Sequence, residues 1–246
     1  MLLAPWALGQ EITVVRGSDN YPPYEMEVGN KLTGFHIELI TNVANSLDIK
    51  VHFNSYPWKR ALSMVKSGDV HAISFVGESV NRSKYIIFTP GNELSFSHSG
   101  LVVLAPKKSL FHFNGKHLNN LRHHKFGHNL GFIYGGYYDN ANLNKTSFNT
   151  TEQLLGMLRL GRIDIAIINF GTFKHLQDND AMASGLLMLD KKVAFAHYLG
   201  FSRAWKLHAM SQKFAAAMQA YKKSSEFFAL MKKYQLKKSQ VSNFPP

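Results

Sequence analysis

A handful of side chains in this sequence have the type and spacing for chemistry. Arg82 closes the segment Ser79-Val80-Asn81-Arg82. Its guanidinium fork matches a carboxylate through two parallel, charge-assisted hydrogen bonds, although an arginine beside Lys84 is also what a solvated surface looks like. Glu78, three residues after the end of a β-rich run, is a loop carboxylate open to a cation or to solvent. Tyr21, Tyr24 and Trp58 carry rings that bury large areas while freezing few torsions, which suits a closing cleft and a core equally well. Gly135 and Gly136 precede Tyr137 and Tyr138, and backbone N–H groups in a turn at a helix start can hold an anion. His112, His117, His123, His124 and His128 follow no finger or zincin spacing and have few carboxylates among them, so they are taken as surface histidines. No nucleophile elbow, Walker loop, H-E-x-x-H or dinucleotide fingerprint occurs. The absence of cysteine removes thiol nucleophiles, disulfides and cysteine metal sites. The expectation is a binding protein with no catalytic residue, no metal and no cofactor.

These residues need elements to position them. Glu11–Arg16 is predicted as a strand from its β-branched run, and residues 34–47 as a helix with Ile37, Ile40, Val43, Ala44 and Leu47 on one face. Lys50–Asn54 is a short strand, Trp58–Ser67 a helix stopped at Gly68, and Val70–Phe75 the next strand. Such alternation marks a mostly parallel sheet with helical crossovers. The sequence then echoes itself. LSMVKSGDVHAIS from Leu62 returns as LGMLRLGRIDIAI from Leu155, with Met64 falling on Met157 and Gly68 on Gly161. Each copy is a helix ended by a glycine cap and followed by a buried strand, which implies two similar α/β lobes. Thr150 and Gln153 have the spacing of a capping box before the second helix.

Leu101–Leu104 is a strand that stops at Ala105–Pro106, a crossing point between lobes, and Lys125–Ile133 begins a second sheet. Leu207, Met210, Phe214, Met218 and Tyr221, then Phe227, Leu230, Met231 and Tyr234, recur at helical spacing and need an apolar surface to cover. The first sheet offers one, with a second crossing near Lys192–Ala196. The expected division is residues 10–104 for the first part of lobe one, 105–195 for lobe two and 196–246 for the return. Two crossings make a hinge, and a hinge between similar lobes makes a cleft.

The formal charge of +12 resides largely in Lys222–Lys223, Lys232–Lys233 and Lys237–Lys238, which alternate with apolar residues as solvated helix faces do. No basic run is interleaved with aromatics, so nucleic acid is not an expected partner. No apolar run approaches the roughly 18 residues of a bilayer span. The first nine residues, MLLAPWALG, resemble the tail of a signal peptide, with Ala7 and Gly9 before a cut and Gln10 as the first mature residue.

Taken in order, several segments resemble the bacterial extracellular solute-binding proteins of family 3, which serve polar amino-acid ABC transporters. They are YPPYEM at Tyr21–Met26, KLTGFHIELI at Lys31–Ile40, Pro57–Trp58, ALSMVKSGDVHAIS at Ala61–Ser74 and SVNR at Ser79–Arg82. IIFTP at Ile86–Pro90, LGFIYGG at Leu130–Gly136 and LRLGRIDIAIIN at Leu158–Asn169 follow. The resemblance implies an α/β type II periplasmic binding fold, with two lobes, each a mostly parallel sheet flanked by helices, and a two-strand hinge. It implies an exported, monomeric, periplasmic protein that closes on a small, carboxylate-bearing, amino-acid-like ligand and hands it to a transporter permease at the inner membrane. Arg82, with Ser79, then holds the ligand carboxylate, and Tyr21, Tyr24 and Trp58 line the first lobe's wall. Gly77 stands where relatives often carry a hydroxyl, so only its backbone can touch ligand, with Glu78 beside it. Gly135 and Gly136 keep an open backbone, but Tyr137 follows where relatives carry threonines. Asn169 replaces the usual aspartate, offering a hydrogen bond without a charge, which disfavours α-amino acids unless Glu78 or Asp139 supplies the missing charge. The same scaffold also hosts dehydratases, for which Glu78 is the candidate acid, and adaptors for membrane receptors.

Overall fold

β1 (Gln10–Gly17) opens the first sheet with Ile12, Val14 and Val15 buried. The computed structural model describes residues 10–179 and 181–241, so the leader remnant expected at residues 1–9 lies outside the described residues. β2 (Met26–Val28) and β3 (Lys31–Thr33) form a small hairpin before α1 (Phe35–Asn45). β4 (Ile49–Tyr56) runs parallel to β1 along its whole length. α2 (Trp58–Ser67) leads to β5 (Ala72–Gly77), parallel to β1 on the other side, and β6 (Ile86–Ile87) is a short edge piece. Two long strands follow in the chain: β7 (Glu93–Leu104) and, after lobe two, its antiparallel partner. Lobe two contributes β8 (Lys125–Asn129), α3 (Gly136–Asp139), β9 (Asn144–Phe148), α4 (Thr151–Arg159), β10 (Ile165–Asn169) and α5 (Phe170–Asn179). β11 (Leu186–Ser202) is the returning long strand, and α6 (His208–Tyr221), α7 (Ser225–Lys233) and α8 (Lys238–Val241) close the chain.

The ladder runs β4-β1-β5-β11-β7-β10-β8-β9, with β6 on β11. Within each lobe the outer strands are parallel, and β7 and β11 join them antiparallel. Lobe two is therefore not hydrogen-bonded as a separate sheet. The paired hinge strands carry the ladder from one lobe into the other, with register shifts between Met188 and Lys192 and between His197 and Tyr198. Such shifts bend a strand and increase its twist.

The cores are separate all the same. Ile12, Phe35, Leu39, Phe201, Phe214 and Phe227 pack on one face of the first sheet, where α6 and α7 cover it. Val15, Val65, Val70 and Ile73 pack on the other. In lobe two, Leu101, Phe126, Ile165 and Ile167 fill one side, and Leu154, Leu155, Leu158 and Phe173 the other. Burial on both faces is what keeps the central strands β5 and β10 almost wholly apolar. Leu94 belongs to the first lobe's core but Leu101 and Val103 to the second's, so the first crossing lies inside β7, ahead of the boundary at residue 104.

The echoed units fold alike. Asp69 N–H donates to the Met64 carbonyl at 2.9 Å, and Arg162 N–H to Met157 at 3.0 Å, the same helix-ending bond 93 residues apart. Gly68 and Gly161 take φ 87° and 66°, where glycine alone is unstrained. Thr150 Oγ1 accepts from Gln153 N–H at 3.2 Å, while Gln153 Oε1 takes the N–H of Asn149. The strand expected to reach Ile133 stops at Asn129, because Gly131 turns the chain at φ 77°.

Candidate functional site

The hinge strands form the floor between the lobes. Ser99 of β7 lies in register with Asn169 of β10, so their side chains stand together on one face of the sheet. His197 of β11 lies opposite Ser95 of β7 and Gly77 of β5. Above this floor is a cavity of about 20 Å³ at the interlobe boundary, with room for about one water molecule. Ser99, Asn129, Thr151, Asn169, Thr172 and His197 supply its polar lining. Tyr21 and Phe75 of lobe one, Phe132 and Tyr134 of lobe two, and Phe195 of the hinge supply its aromatic walls. No carboxylate is among the described lining residues.

Four buried polar atoms here have no hydrogen-bond partner among the described residues: Ser99 Oγ, Asn169 Nδ2, Thr172 Oγ1 and His197 Nδ1. Buried polar groups are normally satisfied, and an unsatisfied one costs about 1–3 kcal/mol. Four converging on one cavity are what a ligand-binding surface leaves open. Asn169 Oδ1 accepts from Thr172 N–H at 3.2 Å, so the amide is oriented with its NH2 left over. His197 has its ring against Phe75 (4.4 Å) and Phe195 (4.7 Å). Burial pulls its pKa well below the ordinary 6.5, and the charge of Arg82 pushes the same way, so the ring is neutral at pH 7.

Arg82 is 5% exposed and stands where the lobes meet. Its Nη1 donates to the Gly77 carbonyl of its own lobe at 2.8 Å, and its Nη2 to the Gly131 carbonyl of the other lobe at 2.5 Å. Trp58 Nε1 donates to the same Gly131 oxygen at 2.9 Å, and the guanidinium lies 5.6 Å from the indole ring. One carbonyl of lobe two is thus held by two donors of lobe one. Burial lowers the Arg82 pKa to about 10, leaving it charged at neutral pH.

The other expected residues divide into three groups. Tyr21 and Asn169 line the cavity. Tyr24 is buried against His36 (5.0 Å) and Phe75 (5.5 Å), one layer behind the cavity wall, and its hydroxyl accepts from Gln240 at 3.4 Å. Gly77 adjoins Arg82 and Ile133, and a Cβ there would lie 3.8 Å from the Ile133 Cβ across the cleft. Ser79 Oγ accepts from Arg82 N–H at 3.3 Å, and the exposed Glu78 carboxylate from Ser83 Oγ at 3.3 Å, which turns both to local structure. The expected anion cradle is occupied by the chain itself. Asp139 Oδ2 accepts from Tyr134 N–H (3.0 Å) and Gly135 N–H (2.9 Å). Gly136 is exposed, and Tyr137 stacks on Phe113 at 5.8 Å in lobe two. The carboxylate four residues on was available in the sequence as a competitor for those N–H groups. Ser99, Thr172 and His197 carry no motif, and the alternation Ser95-x-Ser97-x-Ser99 was the available sign of a strand with a polar face.

Behind the cavity, Arg16, Glu25 and His36 form a wholly buried polar group. Arg16 Nε meets Glu25 Oε2 at 3.3 Å, and His36 Nδ1 lies 3.6 Å from Glu25 Oε1. His36 Nε2 bonds Ser95 Oγ of the hinge at 2.9 Å. Burial alone would raise the Glu25 pKa, but His36 and Arg16 outweigh it and hold the carboxyl below its ordinary value. Glu25 Oε2 is held by Arg16, while Oε1 and His36 Nδ1 have no hydrogen-bond partner among the described residues.

Comparison with known proteins places this geometry in context. No curated protein sequence matches the chain significantly. Among solved structures, a histidine kinase sensor domain with similarity to periplasmic binding proteins superposes with TM-score 0.75 at 20% identity, covering 92% of this chain and 96% of that one. An ancestral arginine-binding protein bound to arginine gives 0.71 at 19% identity, covering 91% and 97%. The ancestral amino acid-binding protein AncCDT-1, a precursor of cyclohexadienyl dehydratase, gives 0.72 at 18% identity, covering 91% and 95%. At these identities the likeness is one of fold. The family model for bacterial extracellular solute-binding proteins, family 3, matches residues 13–237, nearly the whole chain, and the protein belongs to that family.

Proposed function

We propose that this protein captures a small polar solute between its lobes and, as an exported periplasmic protein, presents it to the permease of an ABC transporter. The observation that carries the reading is the set of four unpartnered buried polar atoms, two from the hinge strands and two from lobe two, under an aromatic roof from both lobes. Aromatic walls with a few convergent polar groups are the usual composition of a small-molecule site. Its small volume means that solute enters when the lobes part. Parting them breaks the Arg82–Gly131 bond and frees one edge of the guanidinium for a solute carboxylate. An enzymatic use of the cleft has less support. Glu78, the acid such chemistry would need, is exposed and bonded to Ser83.

A thermal-shift screen of amino acids, peptides, organic acids and polyamines tests the reading. A compound at 100 times its Kd stabilises the native state by about 2.7 kcal/mol, a shift of several degrees. A library in which nothing raises the Tm, or a hit that is chemically turned over, would overturn it.

A further inference from the structure

The orientation of the cavity's polar groups limits what the solute can be. Asn169 is fixed by the bond from Thr172 N–H, so it turns its NH2 and not its oxygen toward the cavity. Ser99 and Thr172, 1% and 2% exposed, each bring a hydroxyl with a proton to give. The neutral His197 brings a ring nitrogen, and its tautomer is free to adapt. No described lining residue carries a negative charge; behind the wall Glu25 meets Arg16 through Oε2 and lies 3.6 Å from His36, and Asp19 accepts from the Tyr21 hydroxyl at 3.2 Å outside the lining. At the cleft the guanidinium of Arg82 adds a positive charge whose field reaches His197, while Asp139 is held by the Tyr134 N–H on the other side. An ammonium group brought here would lose its water and meet the Asn169 NH2, a donor, with no carboxylate in the described lining to neutralise it. An acceptor-rich acid can take a bond from that NH2 and from the hydroxyls of Ser99 and Thr172.

Building on the solute-binding reading above, we infer that the ligand is a small carboxylic acid bearing an oxo or hydroxyl group, and no ammonium, on the carbon next to its carboxylate. The acid's oxygens take bonds from Asn169 Nδ2, Ser99 Oγ and Thr172 Oγ1, and its side chain lies among Tyr21, Phe75 and Phe132. Because the cavity here holds about one water, the bound acid keeps the lobes a step wider than in this structure.

Matched compounds test this by isothermal titration calorimetry on the intact protein: leucine, 4-methyl-2-oxopentanoate and 2-hydroxy-4-methylpentanoate, with the phenylalanine, phenylpyruvate and phenyllactate set beside them. In at least one set the oxo or hydroxy acid should bind tenfold or more tightly than its amino acid. Asn169→Asp keeps the oxygen that accepts from Thr172 and turns a carboxylate oxygen to the cavity, so it should weaken the acid tenfold or more and narrow or reverse the preference. An amino acid that binds wild type as tightly as its oxo acid overturns the inference, whatever the variant does. If the acids fail while another class of compound raises the Tm, the inference falls and the solute-binding reading stands. If no compound binds, both fall.

Discussion

The carbonyl of Gly131, held by two donors from the opposite lobe, makes lobe closure open to quantitative test. Trp58→Phe removes one donor and keeps a ring to pack against Phe132, 5.6 Å away. The lost bond is neutral and solvent-accessible, so the cost to the closed state is about 0.5–1.5 kcal/mol, roughly two- to twelvefold in the closed-to-open ratio. Arg82→Ala removes the charged donor from the same oxygen, at about 1.5–3 kcal/mol, or roughly 10- to 150-fold. It also strips the Gly77 carbonyl of its partner within lobe one, so its Tm falls further than that of Trp58→Phe. The two bonds share one acceptor, so the double variant should cost measurably less or more than the sum, a coupling that a double-mutant cycle reads directly. Small-angle scattering reports the open fraction, and calorimetry with a screened ligand reports the affinity that depends on it. Arg82→Ala protein with wild-type scattering and wild-type affinity would refute the clasp and remove Arg82 from the site.

Other consequences are as concrete. His197 and His36 are buried and neutral in the fold, with pKa values pulled down by burial, while in the unfolded chain each titrates near 6.5. Below that pH the unfolded state binds more protons, so stability is full above it and falls as pH drops, by up to about 1.4 kcal/mol per pH unit for each histidine. Urea melts at pH 7, 6 and 5 should show the slope, and His197→Gln should remove its share; a slope unchanged in the variant counts against a neutral His197. The two echoed glycines should differ when changed to alanine. Both need the left-handed conformation, at a cost of about 1–2 kcal/mol for an L-residue. A Cβ on Gly68 would also press on the Ala204 Cβ at 2.8 Å, whereas one on Gly161 meets nothing within 4 Å. Denaturant midpoints should place Gly68→Ala well below Gly161→Ala, and equal values would deny the crowding. Thr150→Ala should cost about 0.5–2 kcal/mol through the lost cap on α4, again read from denaturant midpoints.

How far the sequence foretold these features varied with how local their causes are. α2 was legible to the residue because Gly68 needs φ 87° and the preceding apolar spacing is helical. The echo at Leu155 was legible for the same reason, since a glycine cap followed by an apolar strand is a local unit. β7 was seen only in its last four residues. Its first half, ELSFSHSG, is polar on alternate positions, with Ser95 bonded to His36 and Ser99 at the cavity, and such a strand looks like a loop when its partner about 100 residues away is unknown. The site divided likewise. Tyr21 and Asn169, expected at a site from motifs, line the cavity, while Ser99 and His197 reach it through strand register, which no short segment encodes. At Gly135 the carboxylate of Asp139, one helical turn on, takes the N–H groups by proximity. Gly131 enters through its backbone oxygen, which has no signature in residue type.

The central claim is that a solute draws the lobes together. The chain lacks cysteine, so labels can be placed at will. Val80, 86% exposed on lobe one, and the exposed Asn140 of lobe two suit Val80→Cys and Asn140→Cys. Pulsed electron resonance between spin labels at these sites, with and without a compound that raises the Tm, should show a broad distance distribution collapsing to one short, narrow population. A bound compound that leaves the distribution unchanged would contradict the account.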